Sequence, residues 1–390
     1  MINRQVVLAT MSIMLASIAC VSNSPLGTEI SEVECSKTVV IDNLTDAEIV
    51  SITDDEVVLS FSDSFLCINP GDVIVSGGIH CGTYGFLRTV TEQRVLGNTM
   101  ILSTRNASLT DAIRNCEVET ILHFSPGRDA VTVTEVMEGV SGKYMNIDLS
   151  EVTLFSGDVG GSYLTVEITS GTIVFDPEID LGFEIRNSQI NEFHAIASGD
   201  AFLDCDFLAS LTGSVELSRD TTLYSYSQVF VQWVGWVPVV EVATLSFVAG
   251  FDLNSTTGSN ITTGFDLNTF VTAGAEYENN TWSSVWETGV ALNAHPTEWC
   301  GCSNIELQGY VMPVVSVAFY GIVGPYIEIV PYLTFEGQAE GKFEYFWQTI
   351  GGIEAVLGFD VSILGYSIAD YYTTLAAWET VIDEGSGSSN

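Results

Sequence analysis

The sequence predicts an all-β protein built from antiparallel, sandwich-like domains with short connecting turns and almost no helix. Three observations predict this. Apolar and polar residues alternate strictly along many stretches, so one face of each is buried and the other wet. Thirty-five glycines, with many Ser, Asn and Asp, lie between such runs as tight turns require. Helical periodicity is scarce.

Residues 1–19 have the parts of a secretory signal. Arg4 precedes an apolar run from Val6 to Ala19, which closes on the small-x-small pattern Ser17-Ile18-Ala19. Cys20 follows, so Leu15 to Cys20 resembles a bacterial lipobox, in which the Cys becomes the lipid-bearing first mature residue. The alternative is plain secretion after the same cleavage. Residues 20–29 read as a small polar tether.

Residues 30–125 read as a small disulfide-containing β domain, with a turn at Asn69-Pro70-Gly71-Asp72. The best short helix is Thr110 to Asn115, with Ser108 or Thr110 as its cap. Residues 126–225 read as a β meander. There Leu164, Val166 and Ile168 alternate with polar residues, as do Ile179, Leu181, Phe183 and Ile185. Residues 226–382 read as an aromatic-rich β-sandwich domain, ending in the alternation Leu357, Phe359, Val361, Ile363. Pro238, Pro313, Pro325 and Pro331 would each interrupt a ladder, which places them at edges or bulges. Within this region Gly250-Phe251-Asp252-Leu253-Asn254 repeats as Gly264-Phe265-Asp266-Leu267-Asn268. The two copies are expected to face each other across a hairpin, with loops 254–263 and 277–287 turned to a partner. Residues 383–390 read as a disordered tail by composition.

Composition limits function. Eleven Lys+Arg against fifty Asp+Glu give a net charge of −39, and charged residues are only 16% of the chain. Such a surface repels a phosphate backbone, which excludes a nucleic-acid binder. The 46% apolar content excludes intrinsic disorder. The shortage of basic residues suits a saline or cation-rich exterior.

The segments Pro70 to Val75, Gly85-Phe86-Leu87-Arg88, Tyr320-Gly321 and Gly324-Pro325-Tyr326 resemble stretches of uncharacterised exported bacterial β-rich surface proteins. The resemblance implies an extracellular bacterial origin and brings no catalytic residue with it.

Eight cysteines agree with an oxidising compartment. With Cys20 set aside, the disulfide candidates are Cys35, Cys116, Cys67, Cys81, Cys205, Cys300 and Cys302, with Cys35–Cys116 and Cys67–Cys81 plausible among several connectivities. Cys300-Gly301-Cys302 lies near His295 and Glu298 and offers zinc or copper ligands, although a disulfide is the favoured reading. Asp54-Asp55-Glu56 and the pair Asp204 and Asp206 offer oxygen ligands for Ca²⁺. The four histidines are isolated in sequence and nominate no catalytic triad. Trp282, Trp286 and Trp299 are the candidates for stacking a ligand, with packing at sheet rims as the other reading. The expected function is therefore a non-enzymatic cell-surface or secreted protein with a structural or binding role. A surface glycan or a protein is the expected partner, besides a membrane reached through the lipid. An outer-membrane β-barrel and a secreted hydrolase are the alternatives.

Overall fold

A computed structural model describes residues 29–35, 37–45, 47–62, 67–80, 83–124, 131–137, 140–143, 145–299, 304–321, 324–340, 344–359 and 371–388. The signal segment and most of the tether lie outside them.

The first stretch forms β1 (Glu29–Cys35), β2 (Thr38–Val40), a 3-10 turn (Ile41–Asn43), β3 (Ala47–Ile52), β4 (Glu56–Phe61), β5 (Val73–His80), β6 (Thr83–Leu96), β7 (Thr99–Asn106), α1 (Leu109–Ala112) and β8 (Ile113–His123). Next come β9 (Val131–Val136), β10 (Ser141–Lys143), β11 (Asn146–Asp148), β12 (Val152–Val159), β13 (Ser162–Phe175), β14 (Glu178–Arg186), β15 (Gln189–Leu211) and β16 (Val215–Val234). The last are β17 (Val237–Ser255), β18 (Ser259–Glu278), β19 (Thr281–Ala294), β20 (Glu298–Trp299), β21 (Ile305–Phe319), β22 (Pro325–Glu340), β23 (Glu344–Phe359) and β24 (Tyr371–Ser388). The all-β, sandwich-like expectation holds.

These strands make an eleven-stranded, a seven-stranded and a six-stranded sheet, and none closes into a barrel. All pairings are antiparallel except β2 with β5. The long strand β15 organises the largest sheet. One edge is shared, with β14 along residues 189–198 and β13 along residues 201–211, while the other edge pairs with β18 from Glu192 to Leu211. The division falls at Gly199, where a Cβ would lie 2.6 Å from the Asp176 carbonyl oxygen of the β13–β14 connection. Only glycine lets that connection approach so closely. The seven-stranded sheet runs β24-β23-β22-β21-β17-β16-β9.

The alternating residues do what their period predicts. Leu164, Val166, Ile168, Ile179, Leu181, Phe183 and Ile185 are all buried. One core joins Val75 and Leu87 of the six-stranded sheet, Phe183 and Phe207 of the eleven-stranded sheet, and Leu245, Phe319 and Leu357 of the seven-stranded sheet. Each such side chain contributes roughly 1.5–3 kcal/mol by leaving water.

Glycine has a second use that the turn-based reading overlooks. Gly250, Gly352, Gly358, Gly385, Gly387 and Gly289 lie inside strands, directly opposite Tyr310, Tyr332, Tyr326, Trp347, Tyr345 and Phe270. In every case a Cβ on the glycine would overlap the partner's ring, so each aromatic lies over the space its glycine leaves. Cross-strand aromatics covering glycines restore the packing that a missing side chain forfeits.

Three local expectations need correction. The repeated pentapeptide is not a hairpin: its copies lie on β17 and β18, which belong to different sheets, and the chain changes sheet between them. Phe251 and Phe265 are both fully buried, so each copy turns its apolar residues to the core. Most of the two supposed partner loops is strand; β18 and β19 meet at a tight turn through Asn279 and Asn280, both at positive φ. The supposed tail continues β24 to Ser388, paired with Glu344 to Thr349 on β23. Its glycines are not spacers, since Gly385 and Gly387 receive Trp347 and Tyr345. Pro313 and Pro331 lie in central strands, at the one break in the β21–β22 ladder, between the pairs Tyr310–Tyr332 and Val314–Glu328.

The short helix forms as the single turn Leu109–Ala112, capped by Ser108, and its expected second half, Ile113 to Asn115, is instead the start of β8. The Asp111 backbone N–H donates to Ser108 Oγ at 3.2 Å, and the Ser108 N–H donates to Asp111 Oδ2 at 2.9 Å. This reciprocal box satisfies two backbone N–H groups at the start of the turn, and the Ile113 N–H closes it on the Leu109 carbonyl oxygen. Ser108→Ala is expected to cost about 1 kcal/mol, read as a lower urea midpoint at constant slope. An unchanged midpoint would show that the box contributes nothing.

Candidate functional site

The outer face of the eleven-stranded sheet carries carboxylates in cross-strand rows. In one row Glu119 on β8, Gly182 on β14 and His194 on β15 are direct neighbours, and Asp180 lies two residues from Gly182 on the same face. Gly182 has no side chain to separate its neighbours. A Cβ there would overlap the His194 ring and fall 2.7 Å from Glu119 Oε2. The gap lets His194 Nε2 come within 3.2 Å of Asp180 Oδ1 and 3.4 Å of Glu119 Oε2. All three ligand atoms lie within 4.8 Å of one another. Partial burial raises the Glu119 pKa above the ordinary carboxylate value. Asp180, Glu117 and Glu192 push it the same way, against the pull of His194.

A second histidine on this face is held differently. His295 Nδ1 is 2.7 Å from Asp206 Oδ1, whereas Nε2 is 3.8 Å from Asp266 Oδ2. Its two ring nitrogens therefore face separate carboxylates. Ser170 Oγ donates to Asp206 Oδ2, and Asn293 Nδ2 to Asp266 Oδ1. Glycine again makes the room, since a Cβ on Gly264 would overlap Asp206 Oδ1 and lie 2.9 Å from His295 Nδ1. His123 pairs more loosely with Glu178, at 3.6 Å.

The residues singled out in the sequence scatter. No disulfide is seen among the described residues, although several were expected. Cys67 and Cys205 carry free thiols. Cys205 faces the core, where burial, then Asp206 and Asp204, drive its pKa well above the usual thiol range and leave it an inert thiol. Cys116 is buried in the core. Cys20, Cys81, Cys300, Cys302 and the Cys35 side chain lie outside the described residues. Trp282 and Trp286 are partly buried against the core, and Trp282 meets Phe193 and Tyr277 edge-on or tilted at 6.0 and 5.1 Å. Trp299 packs edge-on against Phe335 and Tyr345. All three are placed for packing, and the exposed aromatics lie elsewhere.

One exposed aromatic lines a groove. On the outer face of the seven-stranded sheet, Glu336, Gln348 and Glu384 form one cross-strand row, and Gln338, Phe346 and Ser386 form the next. Together they line a depression of about 490 Å³. Phe346 is 46% exposed and offers a flat apolar surface among amides and carboxylates. Gln348 Nε2 donates to Glu336 Oε2 at 2.5 Å. No family model, curated protein or solved structure matches this chain.

Proposed function

We propose that this chain is a non-enzymatic, cell-surface or secreted β-scaffold with a binding role, and that carbohydrate is its class of ligand. The observation that carries the reading is the exposed Phe346 ring among Gln338, Gln348, Glu336, Glu384 and Ser386. Sugar rings present a C–H face that packs on an aromatic ring, while their hydroxyls both donate and accept. Amides and carboxylates beside the ring supply both kinds of partner. Strands of 16 to 18 residues, β22 to β24, support the groove on a stiff ladder. Export rests on the N-terminal signal, and lipid attachment on Cys20. The intact mass of the mature protein tests both, because cleavage after Ala19 and a diacylglyceryl adduct each change it by a defined amount.

A glycan array followed by calorimetric titration tests the groove. Phe346→Ala is expected to weaken the selected saccharide about tenfold or more while leaving circular dichroism unchanged, because the ring belongs to no core. The reading fails if the array retains no saccharide, or if Phe346→Ala binds as well as the parent protein.

A further inference from the structure

We infer that Glu119, Asp180 and His194 form a binding site for a transition-metal dication of the zinc class, on the outer face of the eleven-stranded sheet. This site is independent of the proposed saccharide groove, which lies on the other large sheet.

His194 offers a single atom, Nε2, to both carboxylates, so three ligand atoms surround one point. His295 is the internal contrast: its two nitrogens face carboxylates on different sides of the ring, which leaves no shared point for an ion.

Ligands about 2.0–2.1 Å from a tetrahedral zinc are separated from one another by about 3.3 Å. The separations from Nε2 are 3.2 and 3.4 Å. The two separations from the imidazole thus match the ligand spacing of a metal site, the two carboxylate oxygens lie within 4.8 Å of each other, and the cluster remains open to water on its solvent side, as three-ligand sites do.

Three adjacent strands supply one ligand each, and the residue directly between two of them is a glycine, Gly182, inside a strand of strictly alternating pattern. Glycine at such a position weakens the strand unless something must approach closely. What approaches here is Glu119 Oε2 and the His194 ring. The charge environment completes the case, because Glu117 and Glu192 add to the negative potential around two carboxylates already held together. A dication offsets that repulsion. The imidazole ligand selects the class, since hard cations such as Ca²⁺ take oxygen ligands whereas zinc-class ions accept nitrogen readily.

The test uses the full chain with Cys300→Ser and Cys302→Ser, so that thiols do not compete. Calorimetric titration with ZnCl₂ is expected to show one saturable site. His194→Ala and Gly182→Ala should each weaken it about tenfold or more, as should the near-isosteric Asp180→Asn, while His295→Ala leaves it unchanged. Co²⁺ should give a visible d–d spectrum that is lost with His194→Ala, and excess Ca²⁺ should not displace it. The assignment is overturned if His194→Ala retains the site, if His295→Ala removes it, or if Ca²⁺ competes on equal terms. Circular dichroism of Asp180→Asn separates lost binding from lost fold.

Discussion

Glu241→Gln is expected to stabilise the protein by roughly 5 kcal/mol at pH 9 and by little at pH 4. Glu241 is fully buried on the core side of β17, and burial pushes its pKa from the usual carboxylate value up to about 8. Its partner is Gln232 on β16, whose Nε2 donates to both carboxylate oxygens at 3.0 and 2.8 Å. The folded protein therefore keeps a proton here between about pH 4.5 and 8 that the unfolded chain has released. The unfolded chain binds fewer protons in that window, so this group's contribution falls as pH rises and levels off above the folded pKa. Gln232 Oε1 is buried and makes no hydrogen bond among the described residues. Turning the amide about its soft terminal torsion lets a protonated Glu241 donate to Oε1 and accept from Nε2, which satisfies both groups. A glutamine at 241 reproduces that pair with no charge to lose. The measurement is urea denaturation of parent and variant from pH 4 to 9. A stability difference that does not grow with pH would sink the idea.

Much of the fold was legible because the signal is local. Period-two alternation at Leu164 to Ile168 and Ile179 to Ile185 marks which residues face inward, and they do. Pairing is not local. Nothing in Gly250 to Asn268 says that the second copy of the pentapeptide departs into another sheet, because each copy satisfies the same inside-outside pattern wherever it is placed. The glycines misled for the same reason. Gly250 reads as a turn until Tyr310, sixty positions later, is known to lie across from it. The segment Asp383 to Ser388 looks like a disordered tail only while Trp347 and Tyr345 are unplaced.

The sites show the limit more sharply. Asp206 stands beside Cys205, Asp266 sits in the repeat, and His295 heads the Cys-x-Cys segment, yet nothing in their spacing joins them. Only the β15–β18 register and the path of β19 bring them together. Glu119, Asp180 and His194 carry weaker signals still, as ordinary outward residues on three strands. The usable clue was Gly182, a glycine at an outward position in a strand whose neighbouring outward positions are charged. The groove was missed because the tryptophans singled out, Trp282, Trp286 and Trp299, are packed, whereas the exposed ring in the groove is a phenylalanine whose place beside Gln338 and Ser386 depends on strand register.

The sheet-to-sheet contact yields the second large effect. Phe207 on β15 is fully buried and reaches across the sandwich to Gly309 on β21, where a Cβ would fall 2.9–3.0 Å from three atoms of its ring. The same arrangement seats Trp299 on Gly337 and Leu292 on Gly351, each time a large side chain of one sheet against a glycine of the other. Glycine thus sets how closely the layers approach, and Phe207 fills the space. Phe207→Ala is expected to cost about 3–5 kcal/mol, from lost burial plus the cavity left behind. Gly309→Val should cost about 1–3 kcal/mol by overpacking, since Gly309 does not have positive φ and carries no added backbone strain. In the double variant the valine enters the space the ring vacated, so the combined loss should fall short of the sum by at least about 0.5–1 kcal/mol. Equilibrium denaturation of all four proteins measures that coupling. Losses that add within about 0.5 kcal/mol would mean that Phe207 and Gly309 do not form a socket, and that some other contact spaces the sheets.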